Sequence, residues 1–212
     1  MIVVGLTGSI GMGKSTAATM LKKLGIPVHE ADVEVHALLA PGSRAYRAVA
    51  AVFPYFEHPQ IYGRKNKNGV RIINRKKLGT VVFDNDKKRK KLEGILHPLV
   101  RDAQNKFIRA QKNMGCKIAV LDIPLLFETG GETRVDYIIV VTAPSYIQRA
   151  RVLARPGMSD KKFRAILKRQ MPDREKRRRA DYVVQSGLGR AQMMKELKSV
   201  LQDIRKKQTK KR

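Results

Sequence analysis

The run Gly8-Ser9-Ile10-Gly11-Met12-Gly13-Lys14-Ser15-Thr16 combines closely spaced glycines with a lysine followed by two hydroxyls, and fits G-x-x-x-x-G-K-[ST]. Its chemistry is phosphate binding. Glycines let the backbone curl so that successive N–H groups turn inward at phosphate oxygens, and the start of a helix adds positive potential there. Lys14 has the reach for the β and γ phosphates of a nucleoside triphosphate, and Ser15 offers a hydroxyl to Mg²⁺. Gly8, Gly11, Met12, Gly13, Lys14, Ser15 and Thr16 are therefore the predicted nucleotide-contacting residues. The motif lies between an apolar run, Ile2 to Leu6, and a helical pattern from Lys14 to Leu24, which is the strand–loop–helix context it requires. A glycine-rich turn that binds nothing would not call for Lys and Ser at these two positions.

Transfer of a phosphoryl group to an alcohol needs more: an acid to orient hydrated magnesium, a carboxylate to take the acceptor's proton, and cations for the moving charge. Ile118-Ala119-Val120-Leu121-Asp122 is an apolar run ending in an acid, so Asp122 is the second predicted metal residue beside Ser15; its alternative is to cap the following loop. Asp32 falls just past a short strand read at Ile26–Val28, which suits a base facing the γ-phosphate; the alternative, compatible with it, is an N-cap for a helix over Val33–Leu39. Arg151 and Arg155 are four apart in a helical pattern and would share a face, closing over phosphates as a lid; a solvated basic face is the plainer alternative. Pro156-Gly157-Met158-Ser159 then reads as a break followed by a new cap.

Positioning these groups calls for an α/β architecture. Buried-strand runs recur at Ile118–Leu121, Tyr137–Val141 and Tyr182–Val184, separated by helical patterns, so five strands of a parallel sheet are expected. About eighty residues, Val33 to roughly Gly115, separate the second strand from the third, more than one crossover helix needs, and predict an inserted helical subdomain. Within it, Gly63–Gly69 reads as a basic turn and Lys87–Lys91 as the start of a helix ending near His97-Pro98. The tail from Arg205 reads as a polar, frayed basic end. The predicted division is a domain over 1–205, with its core in 1–32 and 116–205, an insert at about 33–115, a lid at about 146–180, and a tail at 206–212.

Composition bounds the rest. A chain of 212 residues, 42% hydrophobic, suffices for one sizeable core. Apolar runs such as Ile138–Val141 fall far short of the ~20 residues of a membrane span, and a cytoplasmic protein is expected. The lone Cys116 excludes an internal disulfide, and His29, His36 and His58 show no metal-ligand spacing with it or with one another. A net charge of +27 favours non-specific attraction to polyanions, yet no nucleic-acid motif accompanies it and no specific nucleic-acid partner is predicted. Phe53, Tyr55, Phe56 and Tyr62 are expected to pack inside the insert rather than to stack on bases.

Several blocks together resemble the dephospho-coenzyme A kinase family. They are Leu6 to Thr16, Gly25 to Asp32 with His36, Asn74-Arg75 to Leu78-Gly79 with Val82-Phe83, Leu92 to Pro98, and Asp122-Ile123-Pro124-Leu125-Leu126-Phe127-Glu128. Gln148 with Arg151 and Arg155, and Gln170 to Val184, complete a resemblance that runs from Ile2 to about Leu201. It implies a five-stranded P-loop kinase core with an inserted helical domain for the acceptor and an arginine-bearing helical lid. It implies ATP and Mg²⁺, dephospho-coenzyme A as acceptor at its ribose 3′-hydroxyl, and Asp32 as base. It further implies that Arg75, His97, Pro98, Leu125, Phe127 and Glu128 lie toward the acceptor, and that Ser186 and Gly187 lie near adenine. The chain departs from the family pattern at Gln185-Ser186, where relatives usually have Asp-Asn, so any adenine contact there would fall to the backbone of Ser186 and Gly187.

Overall fold

The computed structural model describes residues 1–83 and 85–210; Lys211 and Arg212, the end of the basic tail, lie outside the described residues. Its elements run β1 (Ile2–Thr7), α1 (Lys14–Lys23), β2 (Val28–Glu30), α2 (Ala31–Leu38), α3 (Arg44–Val52), β3 (Tyr62–Lys65), β4 (Arg71–Ile73), α4 (Arg75–Phe83), α5 (Asp86–Asn113), β5 (Ile118–Asp122), β6 (Tyr137–Thr142), α6 (Ser145–Leu153), α7 (Asp160–Lys168), α8 (Asp173–Arg179), β7 (Tyr182–Gln185) and α9 (Arg190–Lys210). They form two compact units, one of Met1–His29 with Ile108–Arg212 and one of Glu30–Phe107.

The first unit is built on a five-stranded parallel sheet in the order β2-β5-β1-β6-β7. β1 is central, pairing in parallel with β5 from Ile2↔Ile118 to Leu6↔Asp122, and with β6 from Val4↔Tyr137 to Thr7↔Val140. Every residue of β5 is buried, as expected of a parallel strand covered on both faces. In β6 successive side chains go to opposite faces: Ile139 and Val141 join a cluster with Leu21 of α1 and Leu197 of α9, while Ile138 and Val140 join Leu126 and Phe127. This registration places the carboxyl ends of β1 and β5 side by side, where Thr7 opens into the phosphate loop and Asp122 ends its strand.

The second strand begins two residues later than the sequence pattern predicts, at Val28 rather than Ile26. Pro27 has no N–H to give; it enters the sheet only as an acceptor, its carbonyl taking the amide of Val120 at 2.9 Å.

The unit Glu30–Phe107 has its own core, in which Phe53, Ile61, Leu78 and Leu96 are buried with Val49 and Ile73. It is not purely helical: β3 and β4 form an antiparallel hairpin around the basic turn, with Tyr62 opposite Ile73. The helix over the Lys87–Lys91 run does not end at His97-Pro98 either. α5 continues through Pro98 to Asn113, and the missing Pro98 N–H leaves the Gly94 carbonyl without its usual helical donor. Phe53 and Tyr62 are core residues, as expected, but Tyr55 and Phe56 are exposed, and Arg71 lies 4.0 Å from the Tyr55 ring centroid. α9 stays helical through Lys210, so the described part of the tail is not frayed.

Candidate active site

The phosphate loop is shaped by two close approaches. Gly13, the N-cap of α1, has φ 89°, a region costly for residues with a Cβ, and a Cβ there would stand 2.9 Å from the Ser186 side chain. A Cβ on Gly8 would lie 2.6 Å from the Val141 carbonyl oxygen, so glycine lets β6 run directly against the loop. Met12 N donates to Ser9 O at 3.1 Å, and Thr16 N and Ala17 N both donate to Gly13 O. Among the described residues, the amides of Gly11, Gly13, Lys14 and Ser15 have no acceptor within the protein. Unspent donors at the start of a ten-residue helix suit phosphate oxygens.

Lys14 Nζ and Asp122 Oδ1 are 2.5 Å apart, with Lys14 half-buried and Asp122 buried. Sequence reasoning named both residues, but not their pairing, which follows from the Leu6↔Asp122 register. Ser15 is exposed on the first turn of α1. Mg²⁺ usually keeps several waters and takes one or two protein oxygens beside the phosphates, so Ser15 and Asp122 fit it without an acidic cluster. Among the described residues no group of three His, Cys, Asp or Glu could hold a metal by itself.

Arg151 does not stand free on a lid. Its Nη1 donates to Ser186 Oγ and its Nη2 to Ser186 O, both at 2.8 Å, and Nη1 lies 3.5 Å from Gly11 O. The Ser186 hydroxyl in turn donates to Met12 O at 2.7 Å. The buried serine thus ties the loop after β7 to the phosphate loop. The adjoining Gly187 is closely packed: a Cβ there would lie 2.7 Å from Pro144 Cδ. Arg155 lies beyond the C-cap Ala154 of α6, off the helical face it was expected to share with Arg151. Its side chain is exposed and among the described residues has no hydrogen-bond or ion-pair partner. Ser159 does cap α7, accepting from Lys162 N.

Two further side chains hold the loop. Gln170 Oε1 accepts from Ile10 N at 3.1 Å, and Gln148 Nε2 donates to Ile10 O at 2.8 Å. Both glutamines belong to the family-like blocks, but nothing in their spacing pointed to Ile10.

The residues expected toward the acceptor divide. In the unit Glu30–Phe107, Asp32 is the second residue of α2 and not its N-cap, which is Glu30. Arg75 grips Asp32 twice, Nη2 to Oδ1 at 2.7 Å and Nη1 to its carbonyl at 3.0 Å. His97 is half-buried and Pro98 exposed, both on α5. In the first unit, Leu125 is exposed, whereas Phe127 is buried with Arg179 stacked 4.8 Å above its ring. Glu128 is also committed inward: Oε1 accepts from Met171 N at 2.8 Å and stands 2.8 Å from the buried Lys176 Nζ. Of that segment, only Leu125 remains exposed for a ligand.

The chain is similar to known proteins along nearly its whole length. Residues 2–191 match the family described as dephospho-CoA kinase. A dephospho-CoA kinase of Mesorhizobium japonicum is 46% identical over 207 residues, covering 97% of this chain and 98% of its own. One of Brucella melitensis is 51% identical over 184 residues, covering 87% and 86%. Among solved structures, dephospho-CoA kinase from Campylobacter jejuni superposes with a TM-score of 0.68 at 27% identity over 97% of this chain and 98% of its own. A Thermus thermophilus protein gives 0.71 at 32% identity, over 95% and 97%.

Proposed function

This chain belongs to the dephospho-CoA kinase family, which phosphorylates dephospho-CoA with ATP to give CoA, and from that premise we propose how its own residues divide the work. The observation that carries the assignment of roles is the phosphate loop with four unspent amides beside the Lys14–Asp122 pair. Those amides and the Lys14 ammonium hold the β and γ phosphates. The acceptor's 3′-hydroxyl oxygen bonds to the γ phosphorus as the bond to the β–γ bridging oxygen breaks, ADP departs, and Asp32 takes the hydroxyl proton. Asp32 follows the carboxyl end of β2 by two residues, and ligands of open α/β sheets gather at carboxyl ends. Arg75, donating to Oδ1 at 2.7 Å, orients that carboxylate.

Mg²⁺, when bound, neutralises charge on the β and γ oxygens, and Ser15 and Asp122 are the residues that would hold it. Arg155, exposed and unpartnered, supplies the mobile cation of the lid formed by α6 to α8, whereas Arg151 shapes the loop through Ser186. The backbone of Ser186 and Gly187 lies toward adenine; the Ser186 hydroxyl is already spent on Met12. The unit Glu30–Phe107 holds the acceptor, with Arg75, His97 and Pro98.

The test is ADP release from Mg-ATP with dephospho-CoA, adenosine or AMP as acceptor. Turnover with dephospho-CoA that disappears in Asp32→Ala is expected. Preference for another acceptor would refute the acceptor assignment, and unchanged turnover in the variant would refute the base.

A further inference from the structure

Lys176 has no exposed surface, although five of the seven residues of its helix, Asp173-Arg174-Glu175-Lys176-Arg177-Arg178-Arg179, are basic. An ammonium group is costly to bury and is retained only with a partner. Its partner is Glu128 Oε1, 2.8 Å away. The contact lacks the alignment of a hydrogen bond, and Glu128 Oε2 is buried with no hydrogen-bond partner. A pair so incompletely satisfied is a poor device for stability alone, since apolar residues of similar volume serve as well or better.

What the pair does hold is the chain between α7 and α8. Glu128 Oε1 also accepts from Met171 N at 2.8 Å, and the residue before it, Gln170, accepts from Ile10 N at 3.1 Å. A continuous series of contacts therefore leads from Lys176 through Glu128, Met171 and Gln170 to the middle of the phosphate loop. Gln148 holds the other side of the same residue, at Ile10 O. We propose that Lys176 and Glu128 are positioning residues for ATP: the ammonium fixes the carboxylate, the carboxylate fixes the Met171 amide, and Gln170 is thereby aimed at Ile10 so that the phosphate loop keeps its binding shape.

The inference rests on the phosphate loop being the ATP site, and the experiment separates the two. Mg-ATP affinity by titration calorimetry and thermal midpoint are measured for the wild type, K176M/E128Q, K176M/E128L and Q170L. In K176M/E128Q the amide oxygen still accepts from Met171 N but has no ammonium to fix it, so affinity falls, and by less than in K176M/E128L. K176M/E128L replaces the charges with apolar volume and removes that acceptor, so it melts near wild type yet binds Mg-ATP about tenfold more weakly, the scale of one hydrogen bond. Q170L, which leaves the buried pair intact, weakens binding to a similar degree, and added to K176M/E128L it costs little more, because both act through one link. Wild-type affinity in a folded K176M/E128L, or in Q170L, overturns the inference. Equal weakening in both double variants also overturns it, because the Met171 acceptor would then be irrelevant. Absence of Mg-ATP binding by the wild type overturns the phosphate-loop reading instead.

Discussion

Arg151 and Arg155 are separated by one helical turn in sequence, yet their surroundings give them unlike tasks. Arg151 spends both terminal nitrogens on Ser186, and Ser186 spends its hydroxyl on Met12, so the guanidinium acts through the loop. Ser186→Ala leaves a buried carbonyl and a guanidinium each short of a partner. It should cost about 1–3 kcal/mol of folding stability and raise the KM for ATP, read by urea unfolding and steady-state kinetics. Asp32 belongs to the chemical step in the proposed mechanism. Asp32→Ala should lower kcat by roughly 10²- to 10⁴-fold while leaving the KM for ATP nearly unchanged, since general-base assistance contributes on that scale. Arg155→Ala should lower kcat with little effect on stability, because that side chain is exposed and among the described residues has no protein partner.

β7 and α9 are joined by a polar cluster whose titration is predictable. Tyr182 Oη donates to Asp203 Oδ2 at 2.5 Å, and Lys207 Nζ lies 2.9 Å from the same oxygen and 3.0 Å from Tyr182 Oη. The Tyr182 hydrogen bond first, then that of Lys207, hold the Asp203 carboxyl below its ordinary 3.8. A lowered carboxyl gives stability that is present above its unfolded value and is lost as pH falls through the folded one. Asp203→Asn should therefore melt below wild type at neutral pH, with the gap closing below pH 3.8, as measured by thermal midpoint against pH. This cluster was not legible in the sequence, because its members lie 21 and 25 residues apart on a strand and a helix whose packing only the fold supplies. The phosphate loop was legible because its function resides in backbone curvature and one adjacent lysine, all local. The apolar runs of β1, β5 and β6 were legible because burial on both faces writes them as unbroken hydrophobics. The hairpin β3–β4 escaped notice because its strands are short and mostly charged or polar at the turn, without alternation to mark a buried face. Lys176 escaped because one inward lysine among four flanking arginines has no distinguishing neighbour; only the docking of α8 singles it out.

For the whole molecule, charge and topology set the behaviour. A net charge of +27 should bind duplex DNA or heparin without sequence preference. Affinity should fall at least roughly tenfold between ~50 and ~200 mM salt, as measured by fluorescence anisotropy; a flat salt response would refute an electrostatic origin. Among the described residues no helix is long and apolar enough to cross a membrane. Topology has a separate effect, on timing. The central strand β1 is translated before both its neighbours, β5 and β6, which are encoded more than a hundred residues later. At the usual pace of synthesis, ~10 residues per second, Ile2–Leu6 waits on the order of ten seconds for a pairing partner. Meanwhile Glu30–Phe107 emerges with its own core, before β5 has been made. The strand that leads into the phosphate loop is thus made well before the strands it pairs with, and during that interval a nascent chain must shield its bare apolar edge from aggregation.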